Sequence, residues 1–251
     1  MIYKRKRSYW QQDIRRVEYC KALLQGILLI GVVSYLFYGT FLGAFLLSPY
    51  LIRYMRSWEK QTIKKRKQEF QLQFKEAIEG ISSALNVGYS VENAMRETLD
   101  ELQILYKKEE LIVREFRYMV HQLDMNISIE AILKDFAKRT EDDKVRTFVE
   151  VFSMAKRSGG NMRDIIRNTV CQIGDEIDVR REIDTIMAAK KLEFKVMSMI
   201  PFAMICYIKV SFPEFVDVLY GNALGIGVMT VCLFIYVVAY ELGKRIVEVE
   251  V

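Results

Sequence analysis

The residues that could perform chemistry in this chain of 251 residues are few and widely separated. A single histidine, His121, is too little for most zinc sites, and because it lies beside an apolar stripe we interpret it as a boundary residue rather than as the base of a Ser-His-Asp triad. The four cysteines stand alone, without CxxC spacing, so we predict small buried hydrophobic side chains rather than metal ligands or disulfides. Acidic runs at 109–110 and 141–143 are better explained by helix capping and solvation than by a bound divalent cation. The sequence therefore predicts no catalytic residue, no metal and no cofactor.

A glycine-rich stretch, Ser158-Gly159-Gly160-Asn161, lies at a predicted helix start, where a phosphate could bind. No strand precedes it, and the chain has no GxxxxGK[ST] phosphate loop, so nucleotide hydrolysis is not expected. We predict a helical corner instead, in which Gly159 and Gly160 end one helix and Asn161 caps the next.

The segment 57–195, which must position these residues, has a helical pattern of apolar residues almost throughout and contains no proline. Six amphipathic stripes separated by short breaks predict an antiparallel six-helix bundle with its own core. Ser90 and Ser128 are predicted helix N-caps. Thr140, with Asp143 three residues later, is predicted to cap the helix that leads to the glycine-rich corner.

The first 55 residues predict an association with a membrane. Residues 1–21 are basic with interleaved aromatic residues, which we interpret as a membrane-facing anchor rather than a nucleic-acid-binding arm. Residues 22–52 carry no charge and would extend for about 46 Å as one helix, against a hydrocarbon core of about 30 Å. Because basic residues flank this run on both sides, we predict a hairpin of two spans, 22–38 and 41–55, turning at Gly39-Thr40. One strongly tilted helix is the alternative.

Residues 196–212 and 223–240 predict two further spans. Pro201 lies in the first, where neighbouring helices can satisfy the carbonyl that it frees, and Lys209 lies near the far end, where its stem can snorkel outward. The loop 213–222 has acidic but no basic residues, whereas Lys244 and Arg245 follow the last span. This charge pattern predicts four crossings with both termini in the cytoplasm.

The predicted organisation is therefore an all-α integral membrane protein with four transmembrane helices and a six-helix antiparallel cytoplasmic bundle. Its parts are a basic cytoplasmic N-terminus (1–21), a transmembrane hairpin (22–56), the cytoplasmic bundle (57–195), two C-terminal transmembrane helices (196–240) and a cytoplasmic tail (241–251).

Three motifs follow one another along this chain: Ala84-Leu85-x-x-Gly88-x-Ser90-x-x-x-Ala94, Ala155-Lys156-x-x-Gly159-Gly160, and a helix running into Ile200-Pro201. With the order of basic N-terminus, hydrophobic hairpin, helical domain and two final spans, they resemble the F domain of type II secretion and tight-adherence (Tad) pilus systems. The resemblance covers nearly the whole chain. Longer members carry two such domains, so a chain with one resembles the shorter Tad type.

The resemblance implies a non-enzymatic, multi-pass platform protein of the bacterial inner (cytoplasmic) membrane. Such proteins couple a cytoplasmic assembly ATPase to the polymerisation and export of pilin or pseudopilin subunits, as homo-oligomers or together with a paralogous platform protein, and no nucleic acid is involved. On this chain the motif residues expected to shape the bundle are Gly88, Ser90, Ala94, Gly159, Gly160, Asn161 and Pro201. The neighbouring charged residues expected to contact partners are Glu92, Lys156, Arg157, Arg163, Arg180 and Arg181.

Two other functions compete with the platform. A membrane-anchored helical scaffold or signalling protein, unrelated to secretion, would have the same helices but no secretion ATPase as partner. An intramembrane enzyme or transporter would need ionisable residues within the membrane, where Lys209 is nearly isolated. Arg180 and Arg181 are also explained by headgroup contact or solvation, with an acidic partner surface as the sharper alternative.

Overall fold

The computed structural model describes Trp10 and residues 16–39, 48–158, 162–213, 220 and 223–247. These residues are almost entirely helical and include no strand, which confirms the predicted all-α class. The helices are α1 (Arg16–Tyr38), α2 (Ser48–Val87), α3 (Val91–Leu105), α4 (Leu111–Asp124), α5 (Ile129–Thr140), α6 (Asp143–Ser158), α7 (Met162–Ser211) and α8 (Ala223–Val247).

The chain divides into two compact units. The bundle unit comprises Met1–Ile14 and Gln61–Arg181, and the membrane unit comprises Arg15–Lys60 and Glu182–Val251. Two long helices, α2 and α7, contribute residues to both units.

The bundle unit is built by successive short helices that pack against their neighbours in the chain: α3 on α4, α4 on α5 and α5 on α6. Each of these helices buries one apolar stripe, as the sequence pattern predicts. Aromatic side chains from three helices meet in the core, where Phe74 of α2 contacts both Phe136 of α5 and Phe148 of α6. Several helices thus form a bundle around one core.

The corner between α2 and α3 shows how this chain reverses direction. The backbone N–H of Gly88 donates to Leu85 O at 3.1 Å, and that of Tyr89 donates to Ala84 O at 3.1 Å. This pair of bonds is a Schellman motif, which requires a left-handed residue, and Gly88 supplies it with φ of 107°. Ser90 then caps α3 by accepting from the N–H of Asn93 at 3.3 Å.

The corner between α4 and α5 repeats the same arrangement with a different residue. Asn126 has φ of 61°, its N–H donates to Leu123 O, and the N–H of Ile127 donates to Gln122 O. Ser128 caps α5 two residues after the left-handed position, as Ser90 does for α3. The third predicted corner, Gly159-Gly160-Asn161, lies outside the described residues.

The corner between α5 and α6 corrects a prediction, because Thr140 is not an N-cap. It is the last residue of α5, fully buried, and its hydroxyl donates to Phe136 O at 2.9 Å. Glu141 then adopts a left-handed φ of 49°, and Asp142 accepts from the N–H of Lys144 at 2.9 Å. The capping residue is therefore Asp142, two positions later than the spacing indicated.

The environment of Trp10 also differs from the prediction, which placed it in a membrane-facing anchor. It is only 8% exposed and belongs to the core of the bundle unit. Its ring meets Phe70 edge-on at a centroid distance of 5.2 Å. The surrounding residues of the basic segment lie outside the described part of the chain.

Within the part of the chain that the structure describes, three helical segments are long and apolar enough to cross a membrane, and the membrane unit contains them: Glu18–Tyr38 on α1, part of Met162–Ser211 on α7, and Leu224–Val247 on α8. The prediction that the cysteines are buried is wrong, since Cys20, Cys206 and Cys232 are exposed on these helices and Cys171 is exposed on the part of α7 that belongs to the bundle unit. An exposed apolar side chain suits a helix surrounded by lipid.

The predicted reversal after α1 is found. Gly39 has φ of 64°, and the first turns of α2 return along α1, with Leu51 and Tyr54 beside Gly26 and Trp58 against Tyr19. One continuous helix over 22–52 is excluded because α1 ends at Tyr38. The second predicted span, 41–55, is described only from residue 48 and is not among the candidate spans, so a fourth crossing is not established.

Candidate partner-binding surface

An open groove of about 570 Å³ lies between α5 and α6 on the bundle unit. Its walls are mostly apolar, and its lining residues are Lys134, Val149, Glu150, Ser153, Met154 and Arg157. Of these, only Arg157 was predicted from the sequence as a partner-contact residue. The other lining residues carry no motif, and only the three-dimensional meeting of α5 with α6 identifies them.

Lys156 and Arg157, adjacent in sequence, have different surroundings. Lys156 Nζ forms an ion pair with Glu130 Oε1 at 2.9 Å, and the hydrogen bond from Lys156 lowers the pKa of the Glu130 carboxyl. Arg157 instead lines the groove. Its guanidinium is therefore the more available of the two for an acidic partner.

The inner part of the groove contains a polar atom without a partner. Val149 and Ser153 are 4% and 5% exposed, and the Ser153 hydroxyl makes no hydrogen bond to any described residue. At the mouth, Met154 is 68% exposed. A flexible thioether at an open apolar site can adapt to different partner side chains.

The remaining predicted contact residues do not share this groove. Glu92 is exposed in the first turn of α3, and Arg163 is exposed in the first turn of α7. Arg180 and Arg181 are exposed on the same helix as Arg163 but about 25 Å further along its axis, at 1.5 Å per residue. One compact patch therefore cannot contain all six predicted residues.

The predicted motif residues occupy structural positions. Gly88 and Ser90 form the corner described above, and Ala94 is fully buried in the core. Pro201 lies within α7, which continues through it to Ser211. Gly159, Gly160 and Asn161 lie outside the described residues. Among the described residues, no group of three or more histidines, cysteines and acids could hold a metal ion.

Lys209 has partners that the sequence did not indicate. Its ammonium donates to Tyr35 O at 2.9 Å and lies 3.5 Å from the centre of the Tyr35 ring and 5.2 Å from that of Tyr220. The Tyr220 hydroxyl donates to Leu36 O. The carbonyls at the end of α1 carry negative partial charge, so they and the aromatic faces stabilise the cation of Lys209.

The opposite end of the membrane unit is joined by charged groups. Arg53 of α2 makes two hydrogen bonds to the Glu241 carboxylate of α8, at 2.8 and 2.6 Å, and Lys244 donates to the Ser57 hydroxyl at 2.8 Å. Bidentate guanidinium–carboxylate pairs fix geometry as well as contributing energy. The start of α2 is therefore tied to the end of α8.

The fold and these sites define a helical protein in which one unit carries apolar helices long enough to cross a membrane and the other unit is a helical bundle. Residues 77–208, more than half of the chain, match the family described as Type II secretion system (T2SS), protein F, and the chain belongs to this family. The matched region begins within α2, contains the whole α5–α6 groove and ends near the far end of α7. Searches of curated proteins and of solved structures give no match.

Membership places the chain in a structural family of inner-membrane platforms with a role in secretion or pilus assembly, whose members work with secretion ATPases and pilins in general.

Proposed function

We propose that this protein is the inner-membrane platform of a type II secretion or Tad-like pilus assembly system, and that it couples a cytoplasmic assembly ATPase to the polymerisation and export of pilin or pseudopilin subunits. The observation that carries this proposal is the family match over 77–208 in a chain that also has three candidate membrane spans.

The proposed topology has four crossings with both termini in the cytoplasm. Within the membrane unit, Arg53 and Lys244 lie at the end where α1 begins and α8 ends, close to further cations at 56, 60 and 245. The other end holds Lys209, enclosed by aromatic rings. The positive-inside rule assigns the first end to the cytoplasm.

The two units are proposed to have different roles because their exposed surfaces differ. The bundle unit presents charged groups and the α5–α6 groove to a cytoplasmic ATPase. The membrane unit presents large apolar side chains on α7, including Met199 and Met204, which are 64% and 61% exposed and suit lipid, pilin helices or a second platform subunit. Because α7 contributes to both units, it gives the coupling a covalent route.

The proposal is tested by deleting the gene and by isolating the full chain in detergent with an affinity tag. We expect loss of pili or pseudopili in the deletion strain and recovery of the assembly ATPase with the tagged chain. Reversing two charges, with Lys156→Glu and Arg157→Glu together, should weaken that recovery because acidic partner groups would then be repelled. Normal export in the deletion strain, with no ATPase recovered, would support the membrane-anchored scaffold instead.

A further inference from the structure

The α5–α6 groove has features that specify the chemistry of its occupant. We infer that it binds a segment of the assembly ATPase in which one apolar side chain is flanked by carboxylates. This inference rests on the proposed function for the identity of the partner, and on the groove itself for the chemistry. The apolar side chain would enter between α5 and α6, and the carboxylates would meet the cations at the rim.

The apolar part of the inference follows from the walls. Val149 forms part of the lining while remaining 4% exposed, whereas Met154 is 68% exposed at the opening. A large thioether left in water beside an apolar recess gains by covering, at about 25 cal/mol per Å² of apolar surface removed from water. An inserted aliphatic or aromatic side chain provides that cover.

The inference that the bound segment carries carboxylates follows from the charges at the rim of the groove. Lys134 and Arg157 line the groove with one opposing carboxylate, Glu150. Lys138 is exposed one turn beyond Lys134 on α5, so it lies on the same side of that helix. Lys156 is already engaged by Glu130 and contributes little to the balance. The remaining excess is positive, and it selects carboxylates over cations.

Ser153 gives the groove a specific hydrogen-bonding position. Its hydroxyl is buried and lacks a partner among the described residues, although buried hydroxyls are normally satisfied. A backbone group of an inserted segment would satisfy it. Ser153 is therefore expected to contribute to binding without contributing to the stability of the free chain.

The first experiment places a photo-crosslinking benzoylphenylalanine at Met154 of the full chain in its native membrane, with the same amino acid at Ile104 as control. Ile104 is 86% exposed on the bundle unit and is not part of the groove. We expect irradiation to join residue 154, and not residue 104, to the assembly ATPase, within a peptide that contains aspartate or glutamate beside an apolar residue. Joining to a second copy of this chain, to lipid or to another protein would overturn the inference.

The second experiment measures binding of the purified ATPase to the full chain in nanodiscs. The double variant Lys134→Glu with Arg157→Glu should bind at least about tenfold more weakly, since two attractive rim charges become repulsive. The matched control is Lys107→Glu with Lys108→Glu, which makes the same charge change at two exposed residues outside the groove and should bind normally. Equal weakening of binding by both pairs would show that the overall charge of the chain causes the effect, and it would contradict binding at the groove.

The variant Ser153→Ala separates binding from folding. Its thermal unfolding should be unchanged or should occur at a higher temperature, while its affinity for the ATPase falls about fivefold, the effect of one hydrogen bond. Unchanged affinity would remove Ser153 from the inference. If the unmodified chain binds the ATPase but every groove variant binds equally well, the groove inference fails and the platform function stands. If the unmodified chain does not bind the ATPase at all, the platform function fails first.

Discussion

At the scale of single residues, the carboxylate of Asp142 is tightly held within the bundle unit. Its side chain is fully buried, accepts from Gln71 Nε2 at 2.9 Å, lies 3.4 Å from Lys67 Nζ and caps the N–H of Lys144. One group thus connects α2 with the corner between α5 and α6. A buried carboxylate of this kind is stable only while its partners are in place.

Replacing Asp142 with alanine should destabilise the bundle strongly. The variant leaves Gln71 and Lys67 without their buried acceptor, at a cost of about 3 kcal/mol, which lowers the midpoint of thermal unfolding by about 10 °C. Circular dichroism of the full chain in detergent measures this change. The neighbouring Asp143→Ala is the control, because the Asp143 side chain is 80% exposed and pairs only locally with Arg146. Equal shifts for the two variants would show that Asp142 has no special structural role.

This corner also shows what a sequence can and cannot predict about caps. Ser90 and Ser128 were predictable because each follows a break by a fixed short distance and both stay at the surface. Thr140 matched the same local pattern, yet the core extends beyond Phe136 and keeps it inside α5. The burial that moves the cap to Asp142 depends on Lys67 and Gln71 of a distant helix, which no local window contains.

At the scale of helices, α1 and α7 meet where Lys209 contacts the last turn of α1. The cation is half-buried and faces Tyr35 through both its carbonyl and its ring. Aromatic and carbonyl contacts offset the cost of holding an ammonium group in this apolar unit. Lys209, an isolated charge in the sequence, therefore makes a contact between two helices. Its side chain contacts Tyr35 of α1 instead of extending outward as predicted.

A double-mutant cycle should reveal the coupling between Lys209 and Tyr35. Tyr35→Leu alone should cost about 1–2 kcal/mol, because the ammonium loses the ring that covers it. The same change made together with Lys209→Leu should cost less than half as much, since no cation remains to be covered. Unfolding of the full chain by titration with a denaturing detergent gives the four free energies. Additive costs would mean that the two side chains do not stabilise each other.

The helices themselves were easier to predict than this contact. Uncharged runs and apolar stripes gave α1, α7 and α8 and the helices of the bundle, because their signal is periodic and local. The α5–α6 groove depends on how two stripes are rotated against each other, so Lys134 and Met154 could not be paired from the sequence. Only Arg157 was anticipated, from its place beside the glycine corner.

At the scale of the whole molecule, the number of crossings decides which parts meet the cytoplasm. The end of α1 lies beside Tyr220, which belongs to the loop 213–222 that was predicted to lie outside. The first turns of α2 return to the beginning of α1, where Trp58 of α2 packs against Tyr19 of α1. These contacts support the reversal, and the proposed second crossing would contain residues 41–55.

Cysteine labelling with a membrane-impermeant maleimide should test these crossings in intact cells with a permeable outer layer. The four native cysteines are exposed and must first be replaced. Cysteines at Thr40 and Glu214 should be labelled from outside, and cysteines at Ser8 and Val251 should be labelled only after the membrane is opened. Thr40 is preferable to Gly39, whose φ of 64° disfavours any side chain. Protection of Thr40 with labelling of Glu214 would contradict the four-crossing topology.

The burial of Trp10 in the bundle core has an optical consequence. The chain has two tryptophans, and they lie in different units: Trp10 beside Phe70 in the bundle unit and Trp58 beside Tyr19 in the membrane unit. Each unit therefore contains its own intrinsic fluorophore. Removing Trp58 by substitution with phenylalanine leaves an emission spectrum that reports only the bundle, and removing Trp10 leaves one that reports only the membrane unit. Changes in the two units during an assembly cycle can thus be followed separately, in unlabelled protein, by the wavelength of tryptophan emission.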